Sequence, residues 1–193
     1  LHVCNNATSC ELCPAGGFCP TPQGTSRQVF NECPAGSWNP DPGQTSSASC
    51  HTCPRGKSNP IPEGTVEADC VDCLPGSYAG ERGTPACKRC EPGTYQNETA
   101  ATECRPCEGG SFCPLGASAP LPCREGSFSS ATNLASAGEC TAADPGFFAP
   151  TGSRGPTPCA AGTIAADERS GECTPCEPGT YQNETAATEC RPC

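Results

Sequence analysis

The chain has 193 residues and a net charge of −10, and 21 of its residues are cysteines. A cysteine content above about 8–10% is typical of disulfide scaffolds, and persistent disulfides need an oxidising compartment. Leu, Ile, Val and Phe number only 18 in total, too few for an apolar core that offsets the entropy of ordering the chain. Composition therefore predicts an extracellular or cell-surface protein held by disulfide bridges.

Charge and hydropathy exclude several other classes of protein. No apolar run approaches the 18 or so residues of a membrane span, so no membrane insertion is expected in this segment. Eleven basic residues against 21 acidic ones, with no basic cluster in the sequence, argue against nucleic acid as a partner. With 22 Gly and 23 Pro, the chain favours turns over long helices. No signal-like segment precedes Leu1, which indicates a mature chain or a fragment of a longer one.

Internal similarity divides the chain into short units. Residues 1–12 end an incomplete unit, and ten further units, called repeats 1–10, follow in chain order. Their first residues are Cys13, Cys33, Cys53, Cys73, Cys90, Cys107, Cys123, Ala143, Cys159 and Cys176. A glycine, the turn glycine, stands three residues after every start. In eight repeats an aromatic residue follows two positions later, at Phe18, Trp38, Tyr78, Tyr95, Phe112, Phe128, Phe148 and Tyr181.

Each repeat is predicted to begin with a tight turn and to return irregularly. Pro-Gly pairs such as Pro75-Gly76 suit the central positions of a type II turn, with the glycine at positive φ. The aromatic ring is expected to lie against the cystine as the small core of its own repeat. We therefore expect small disulfide-rich β/irregular repeats in an elongated, solenoid-like rod of ten short units, with little regular secondary structure and no single core.

Positions at which cysteines disappear together indicate bridges closed within one repeat. Repeats 1 and 6 lack the usual second Cys and carry an extra Cys six residues after the start. Repeat 8 has Ala143 at its start and Pro156 at the expected second position, so both cysteines are absent. The predicted bridges are Cys4–Cys10, Cys13–Cys19, Cys33–Cys50, Cys53–Cys70, Cys73–Cys87, Cys90–Cys104, Cys107–Cys113, Cys123–Cys140, Cys159–Cys173 and Cys176–Cys190.

A longer period lies above the single repeats. Residues 90–107 recur without change at 176–193, and each copy closes a block of five repeats that begins with a short-loop bridge. The sequence thus predicts one five-repeat block at 13–106 and a second at 107–192, with Cys193 as the start of a third. We expect Cys193 to pair beyond the end of this sequence, and repeat 8 to be the weakest joint because it has no bridge.

The pattern C-x-P-G-[ST]-Y followed by C-x-x-C, seen at Cys73–Cys90 and Cys90–Cys107, resembles the ephrin-receptor-like cysteine-rich repeat. That repeat is itself similar to the short modules of tumour-necrosis-factor receptors. The resemblance covers essentially all of residues 4–193, except that repeats 1, 6 and 8 lack the regular bridge. It implies rods of small β-turn modules outside cells. Such modules occur in receptor ectodomains and in long surface proteins of algae and protists, including flagellar-hair (mastigoneme) glycoproteins.

The CxxC pairs also invite other interpretations, of which zinc is the strongest. The series Cys87-x2-Cys90-x13-Cys104-x2-Cys107 fits a zinc ribbon, but adjacent pairs continue along the chain, so two sites would claim each pair. Redox catalysis needs a thiolate at a helix start, and no helical pattern follows any pair. The two histidines, His2 and His51, have no partner nucleophile or carboxylate that the sequence can place. We predict no metal, no cofactor and no enzymatic activity.

Three sequons predict N-linked glycans, at Asn6-Ala-Thr, Asn97-Glu-Thr and Asn183-Glu-Thr. Asn97 and Asn183 occupy equivalent places in their repeats, so these glycans would recur once in each five-repeat block. Asn31-Glu-Cys is a rarely used variant of the sequon. The Ser, Thr and Pro residues of the return loops also offer sites for O-linked sugar.

Two functions are compatible with these features. The first is a structural component of an extracellular or cell-surface filament or stalk, as in flagellar-hair glycoproteins, whose partners are copies of itself or other filament proteins. The second is a segment of a receptor ectodomain that binds a protein ligand. The unchanged 18-residue copy favours the structural function, because a binding site requires one repeat to differ from the others.

Overall fold

A computed structural model describes residues 2–6, 9–20 and 29–193, with the backbone alone for residues 2–6 and 9–11. The chain forms two compact units. The first comprises Leu1–Arg89 and Glu98–Glu103, and the second comprises Cys90–Asn97 and Cys104–Cys193. No helix in the described ranges is both long and apolar enough to cross a membrane.

The regular structure consists of two-stranded antiparallel pairs and short 3-10 helices. The strands are β1 His2–Asn6, β2 Ser9–Leu12, β3 Gly17–Phe18, β4 Asn31–Glu32, β5 Ser37–Trp38, β6 His51–Thr52, β7 Lys57–Ser58, β8 Val71–Asp72, β9 Ser77–Tyr78, β10 Lys88–Arg89, β11 Thr94–Tyr95, β12 Arg105–Pro106, β13 Ser111–Phe112, β14 Leu121–Pro122, β15 Ser127–Phe128, β16 Thr141–Ala142, β17 Phe147–Phe148, β18 Thr157–Pro158, β19 Thr163–Ile164, β20 Thr174–Pro175, β21 Thr180–Tyr181 and β22 Arg191–Pro192. The 3-10 helices are Ser47–Ser49, Glu67–Asp69 and Ala137–Glu139. Each odd-numbered strand pairs with the strand that follows it. The predicted fold class, short repeats with little regular secondary structure, is confirmed.

Each repeat is one small hairpin whose turn is fixed by local hydrogen bonds. In repeat 4 the Ser77 hydroxyl donates to the Leu74 carbonyl oxygen at 2.7 Å, across the turn that contains Gly76. In repeat 5 the Thr94 hydroxyl makes the same 2.7 Å bond to the carbonyl of Glu91. Ser and Thr favour such turns because their hydroxyls replace a backbone partner. The turn chemistry of the sequence thus decides where each hairpin begins.

Backbone hydrogen bonds join successive repeats, in a pattern that recurs along each compact unit. Between repeats 7 and 8 the bonds are Gly126 N–H to Ala149 O (2.7 Å), Ser129 N–H to Ser153 O (3.1 Å), Ala143 N–H to Gly126 O (3.0 Å) and Gly152 N–H to Cys123 O (2.8 Å). Between repeats 1 and 2 the corresponding bonds are Gly16 N–H to Asn39 O, Cys19 N–H to Gln44 O, Cys33 N–H to Gly16 O and Gly43 N–H to Cys13 O. Side chains take no part in these bonds, so repeats of different sequence can use the same connection.

The turn glycine also reaches the repeat after next. Gly126 of repeat 7 has a φ of 77°, and a Cβ built on it would overlap the carbonyl oxygen of Arg169 in repeat 9. In repeat 1, a Cβ on Gly16 would stand 2.7 Å from the carbonyl oxygen of Glu63 in repeat 3. Positive φ and the close approach of a second backbone both require glycine here. Three successive repeats therefore meet at one backbone contact.

Repeats 2–10 each have a residue in the left-handed conformation nine or ten positions after the start, and in seven of them its carbonyl lies against a turn glycine two repeats earlier. These residues are Gly43, Glu63, Gly83, Ala100, Gly116, Asn133, Gly152, Arg169 and Ala186, with φ from 54° to 78°. The left-handed region costs a non-glycine residue about 1–2 kcal/mol. Each of them donates its N–H to the carbonyl of the preceding repeat's first residue, as Arg169 does to Ala143 at 2.8 Å. The contact between repeats thus compensates a local strain.

In each compact unit, a buried column takes the place of a conventional core. It contains the start residues together with the residue six positions after each start, and the latter are all buried: Cys19, Asn39, Asn59, Ala79, Gln96, Cys113, Ser129, Ala149, Ala165 and Gln182. Asn39 is completely buried, and its amide donates to the Gly17 carbonyl at 2.8 Å and accepts from the Asp41 N–H at 3.2 Å. Buried polar groups are tolerated when they are paired in this way.

The aromatic rings do not form the core of their own repeats, contrary to the expectation from sequence. Phe18, Trp38 and Tyr78 are only half-buried, and Tyr181 is exposed. Tyr95 of repeat 5 packs against the cluster of Cys107, Cys113 and Ala117 in repeat 6. Tyr95 therefore covers the next repeat along the chain, whereas Trp38 lies against His51 of its own repeat.

Repeat 8 is a short-loop repeat in which alanine replaces both cysteines. Ala143 and Ala149 are fully buried at the places that Cys107 and Cys113 occupy in repeat 6. Pro156, which the sequence analysis took as the second lost position, is exposed. The backbone bonds of repeat 8 match those of its bridged neighbours. The structure thus supports a different pair of lost cysteines and shows no gap in the backbone connections at the predicted weak joint.

The Gly126→Ala variant should lower the free energy of unfolding by about 2–4 kcal/mol, because the Cβ meets both the left-handed penalty and the Arg169 carbonyl. Gly162→Ala is the matched control. Its φ is 87°, but nothing lies within 4 Å of the added Cβ, so it should lose only about 1–2 kcal/mol. Guanidinium unfolding with intact bridges measures both. Equal losses in the two variants would contradict the contact across two repeats.

The double variant Ala143→Cys/Ala149→Cys should form a bridge like Cys107–Cys113, whose cysteines are six residues apart. Closing so short a loop should raise the free energy of unfolding by about 2 kcal/mol. Thiol titration gives the result directly. The double variant should show no new free thiol, whereas the single variant Ala143→Cys should show one. Two reactive thiols in the double variant would show that the positions do not correspond.

Candidate functional site: bridges and exposed loops

Nine disulfides lie within the described residues, and each closes inside its own repeat. They are Cys13–Cys19, Cys33–Cys50, Cys53–Cys70, Cys73–Cys87, Cys90–Cys104, Cys107–Cys113, Cys123–Cys140, Cys159–Cys173 and Cys176–Cys190. The predicted bridge Cys4–Cys10 lies outside the described side chains, although the two α-carbons are paired between β1 and β2. Cys193 is an exposed free thiol.

Each long-loop bridge ties an exposed return loop to the buried column. Cys33, Cys53 and Cys73 at the repeat starts are essentially buried, whereas the partners Cys50 and Cys87 are only half-buried. Loops of 14–17 residues close in this manner, and the chain-entropy model gives about 3 kcal/mol for each. The bridges thus stabilise the return loops, while backbone bonds connect the repeats.

In the longer loops, a short 3-10 helix immediately precedes the second cysteine of the bridge. Glu67–Asp69 precedes Cys70, whose N–H donates to the Glu67 carbonyl at 3.0 Å. The Asp69 carboxylate accepts from the N–H groups of Thr65 at 2.7 Å and Val66 at 3.1 Å. These two hydrogen bonds order the part of the loop that precedes Cys70 in the chain. Sequence reasoning missed these helices, since three-residue helices leave no periodic signal.

Most cysteines of the CxxC pairs are used by the bridges described above. The CxxC pairs at 50–53, 70–73, 87–90, 104–107 and 173–176 each contribute one cysteine to each of two bridges, as Cys87 and Cys90 do with Cys73 and Cys104. No group of three or more His, Cys, Asp or Glu residues is positioned to hold a metal ion in the part of the chain that the structure describes.

Two polar side chains, those of His51 and Glu63, have neighbours that the structure defines. His51 is exposed and stacks on Trp38, with ring centroids 4.9 Å apart and an interplanar angle of 36°. A hydrogen bond and the negative charge of Glu32 raise the pKa of Glu63 above its usual value. Glu63 is the left-handed residue of repeat 3, so the backbone contact with repeat 1 sets its position.

The sequon asparagines of repeats 5 and 10 lie on the surface. Asn97 and Asn183 are exposed, as are the threonines two residues later. Each follows a buried glutamine, and Gln182 donates to the Glu189 carbonyl at 2.9 Å and accepts from the Glu184 N–H at 2.9 Å. The loop that carries Asn183 is therefore fixed, with the acceptor facing outward. The side chain of Asn6 lies outside the described residues.

Comparison with known proteins identifies the repeat type. A family profile described as "Tyrosine-protein kinase ephrin type A/B receptor-like" matches residues 162–193. A search of curated proteins gives no match. The matched segment ends with the stretch that is identical to residues 90–107. Repeats of this family are disulfide-rich and typical of non-enzymatic, extracellular domains. The chain thus carries, at residues 162–193, the ephrin-receptor-like cysteine-rich repeat that its sequence predicts.

Proposed function

We propose that this protein is a structural component of an extracellular or cell-surface filament or stalk, in which a glycosylated, bridge-stabilised array of repeats associates with further copies of itself. The main support is the uniform connection between repeats. Their backbone bonds repeat with the same geometry at junctions of different sequence. An array whose repeats share the same connection, although their surfaces differ, is suited to bearing a mechanical load along its length.

Repetition of identical surfaces supports self-association. Residues 90–107 and 176–193 present the same sequence, so any contact made by one copy is available to the other. Repeated equivalent contacts that do not close on themselves generate filaments. The net charge of −10 opposes disordered aggregation, because like-charged chains repel one another unless specific contacts align them.

The function can be tested by electron microscopy of undenatured surface extract. Filaments that bind an antibody raised against residues 90–107 would support the structural role. A receptor ectodomain would instead appear as single particles that capture a soluble protein ligand with one-to-one stoichiometry. Finding only such particles would contradict the filament.

Small-angle scattering tests the rod predicted from the sequence. If each repeat adds about 10 Å, ten repeats give a length on the order of 100 Å and a radius of gyration of roughly 30 Å. A compact chain of this length would give about 16 Å, and an unfolded one about 47 Å. Reduction of the bridges should raise the radius towards the unfolded value, because the apolar core is small. A radius near 16 Å, or one unchanged by reductant, would contradict the proposal.

Glycans should be present on Asn97 and Asn183 in native material. Enzymatic release followed by mass spectrometry should show Asn-to-Asp conversion at both, because both acceptors are exposed. Asn133 serves as the control, since it is exposed but not followed by a sequon threonine or serine. Unmodified asparagine at both sequons would argue against passage through the secretory pathway.

A further inference from the structure

Repeat 4 carries an open cleft of ≈ 430 Å³ that lies entirely within the first compact unit. Six of the residues that line it determine its chemistry: Tyr78, Gly80, Glu81, Arg82, Thr84 and Lys88. Tyr78 and Lys88 lie opposite each other in the β9–β10 pair, and the remaining four belong to the return loop. The cleft therefore combines an aromatic ring, two cations and a hydroxyl on one small hairpin.

The cleft depends on a glycine that distinguishes repeat 4 from its neighbours. A Cβ on Gly80 would stand 3.6 Å from Cε2 of Tyr78 and 3.3 Å from the carbonyl oxygen of Thr102, so a side chain at this position would lie beside the ring. Five other repeats have proline at the equivalent position, seven residues after the start: Pro20, Pro40, Pro60, Pro114 and Pro150. Repeat 4 thus leaves its half-buried tyrosine accessible from the cleft.

Backbone bonds hold the loop in place before any ligand arrives. The Gly83 N–H donates to the Cys53 carbonyl at 2.9 Å, and the Asn59 N–H donates to the Thr84 carbonyl at 3.3 Å. The Thr84 hydroxyl donates to the Glu81 carbonyl at 2.9 Å. Preorganised polar groups bind with a smaller loss of conformational entropy than mobile ones.

The two cations of the cleft are available for an anion. Neither Arg82 nor Lys88 forms an ion pair within the described part of the chain, whereas Lys57 pairs with Asp72 at 2.9 Å and Arg154 with Glu108 at 2.7 Å. Arg82, Lys88 and the adjacent Arg89 are three of only eleven basic residues in the chain. Glu81 is the one carboxylate in the lining, so the cleft has a net positive charge.

We propose that this cleft binds an acidic saccharide, with Arg82 and Lys88 on its carboxylate or sulfate group and the Tyr78 ring against a sugar face. Arginine recognises both anions through paired donors, and aromatic rings contact the apolar face of a pyranose. A peptide held by apolar side chains would need apolar pockets, which this polar lining does not provide, and an acidic peptide is the competitor that the test below includes. The proposal does not depend on the filament function.

Fluorescence anisotropy with a labelled, sulfated uronate tetrasaccharide tests the site on the intact, oxidised chain. Saturable binding is expected, weakening as salt is raised. Arg82→Ala and Lys88→Ala should each weaken it about tenfold, the usual effect of losing one hydrogen bond to a charged group. Gly80→Ser and Tyr78→Leu should also weaken binding, by crowding or removing the ring.

Arg89→Ala is the matched control, because it removes the same charge one residue away. Side chains alternate across a strand, and Arg89 is not part of the cleft lining. It should change the affinity less than twofold. Arg124→Ala provides a second control, in a cleft of ≈ 420 Å³ that has no aromatic residue.

Four results would overturn the proposal. They are the absence of saturable binding, an equal loss in Arg89→Ala, unchanged affinity in Gly80→Ser, and tighter binding of a glutamate-rich peptide of the same charge. Free-thiol titration of each variant verifies that the bridges remain closed. If the protein forms filaments but binds no saccharide, only the saccharide proposal is contradicted. If it binds the saccharide as a monomer and forms no filament, only the filament proposal is contradicted.

Discussion

The contact on which the architecture depends is made by backbone alone. In repeat 7 the turn glycine, Gly126, lies directly against the carbonyl of Arg169, two repeats later. The left-handed backbone of Arg169 is in turn held by its N–H bond to Ala143 in the intervening repeat. One glycine thus couples three repeats, and any side chain at that position would separate them.

Bridges and backbone bonds have different tasks in this protein. A bridge such as Cys53–Cys70 closes one return loop and restricts the unfolded chain, but it does not cross to another repeat. Repeat 8 makes the distinction visible, because Ala143 and Ala149 replace the cysteines while the bonds to both neighbours persist. Stability within a repeat is therefore separable from cohesion between repeats, and the array can lose a bridge without losing its register.

This separation also leaves the surface free to vary. The residue six positions after each start is buried in all ten repeats, so exposed positions can carry glycan acceptors at Asn97 and Asn183 or a basic cleft in repeat 4. A uniform interior with a locally modified exterior is compatible with a filament that also displays a binding site. The proposed saccharide cleft lies in the one repeat that has glycine seven residues after its start, at Gly80, where five other repeats have proline.

The fold class and the positions of the turns could be read from sequence, because cysteine spacing and turn glycines are local signals that need no partner. The sequence also predicted the ephrin-receptor-like repeat that the family profile matches at 162–193. Tertiary packing was needed to show where Tyr95 lies, which pair repeat 8 has lost, and why turns such as that of Gly126 exclude a side chain. Tyr95 covers Cys107 and Cys113 of the next repeat, and Gly126 meets a residue 43 positions away in the chain. Such contacts depend on how hairpins stack, and neither periodicity nor propensity specifies the distance between stacked backbones.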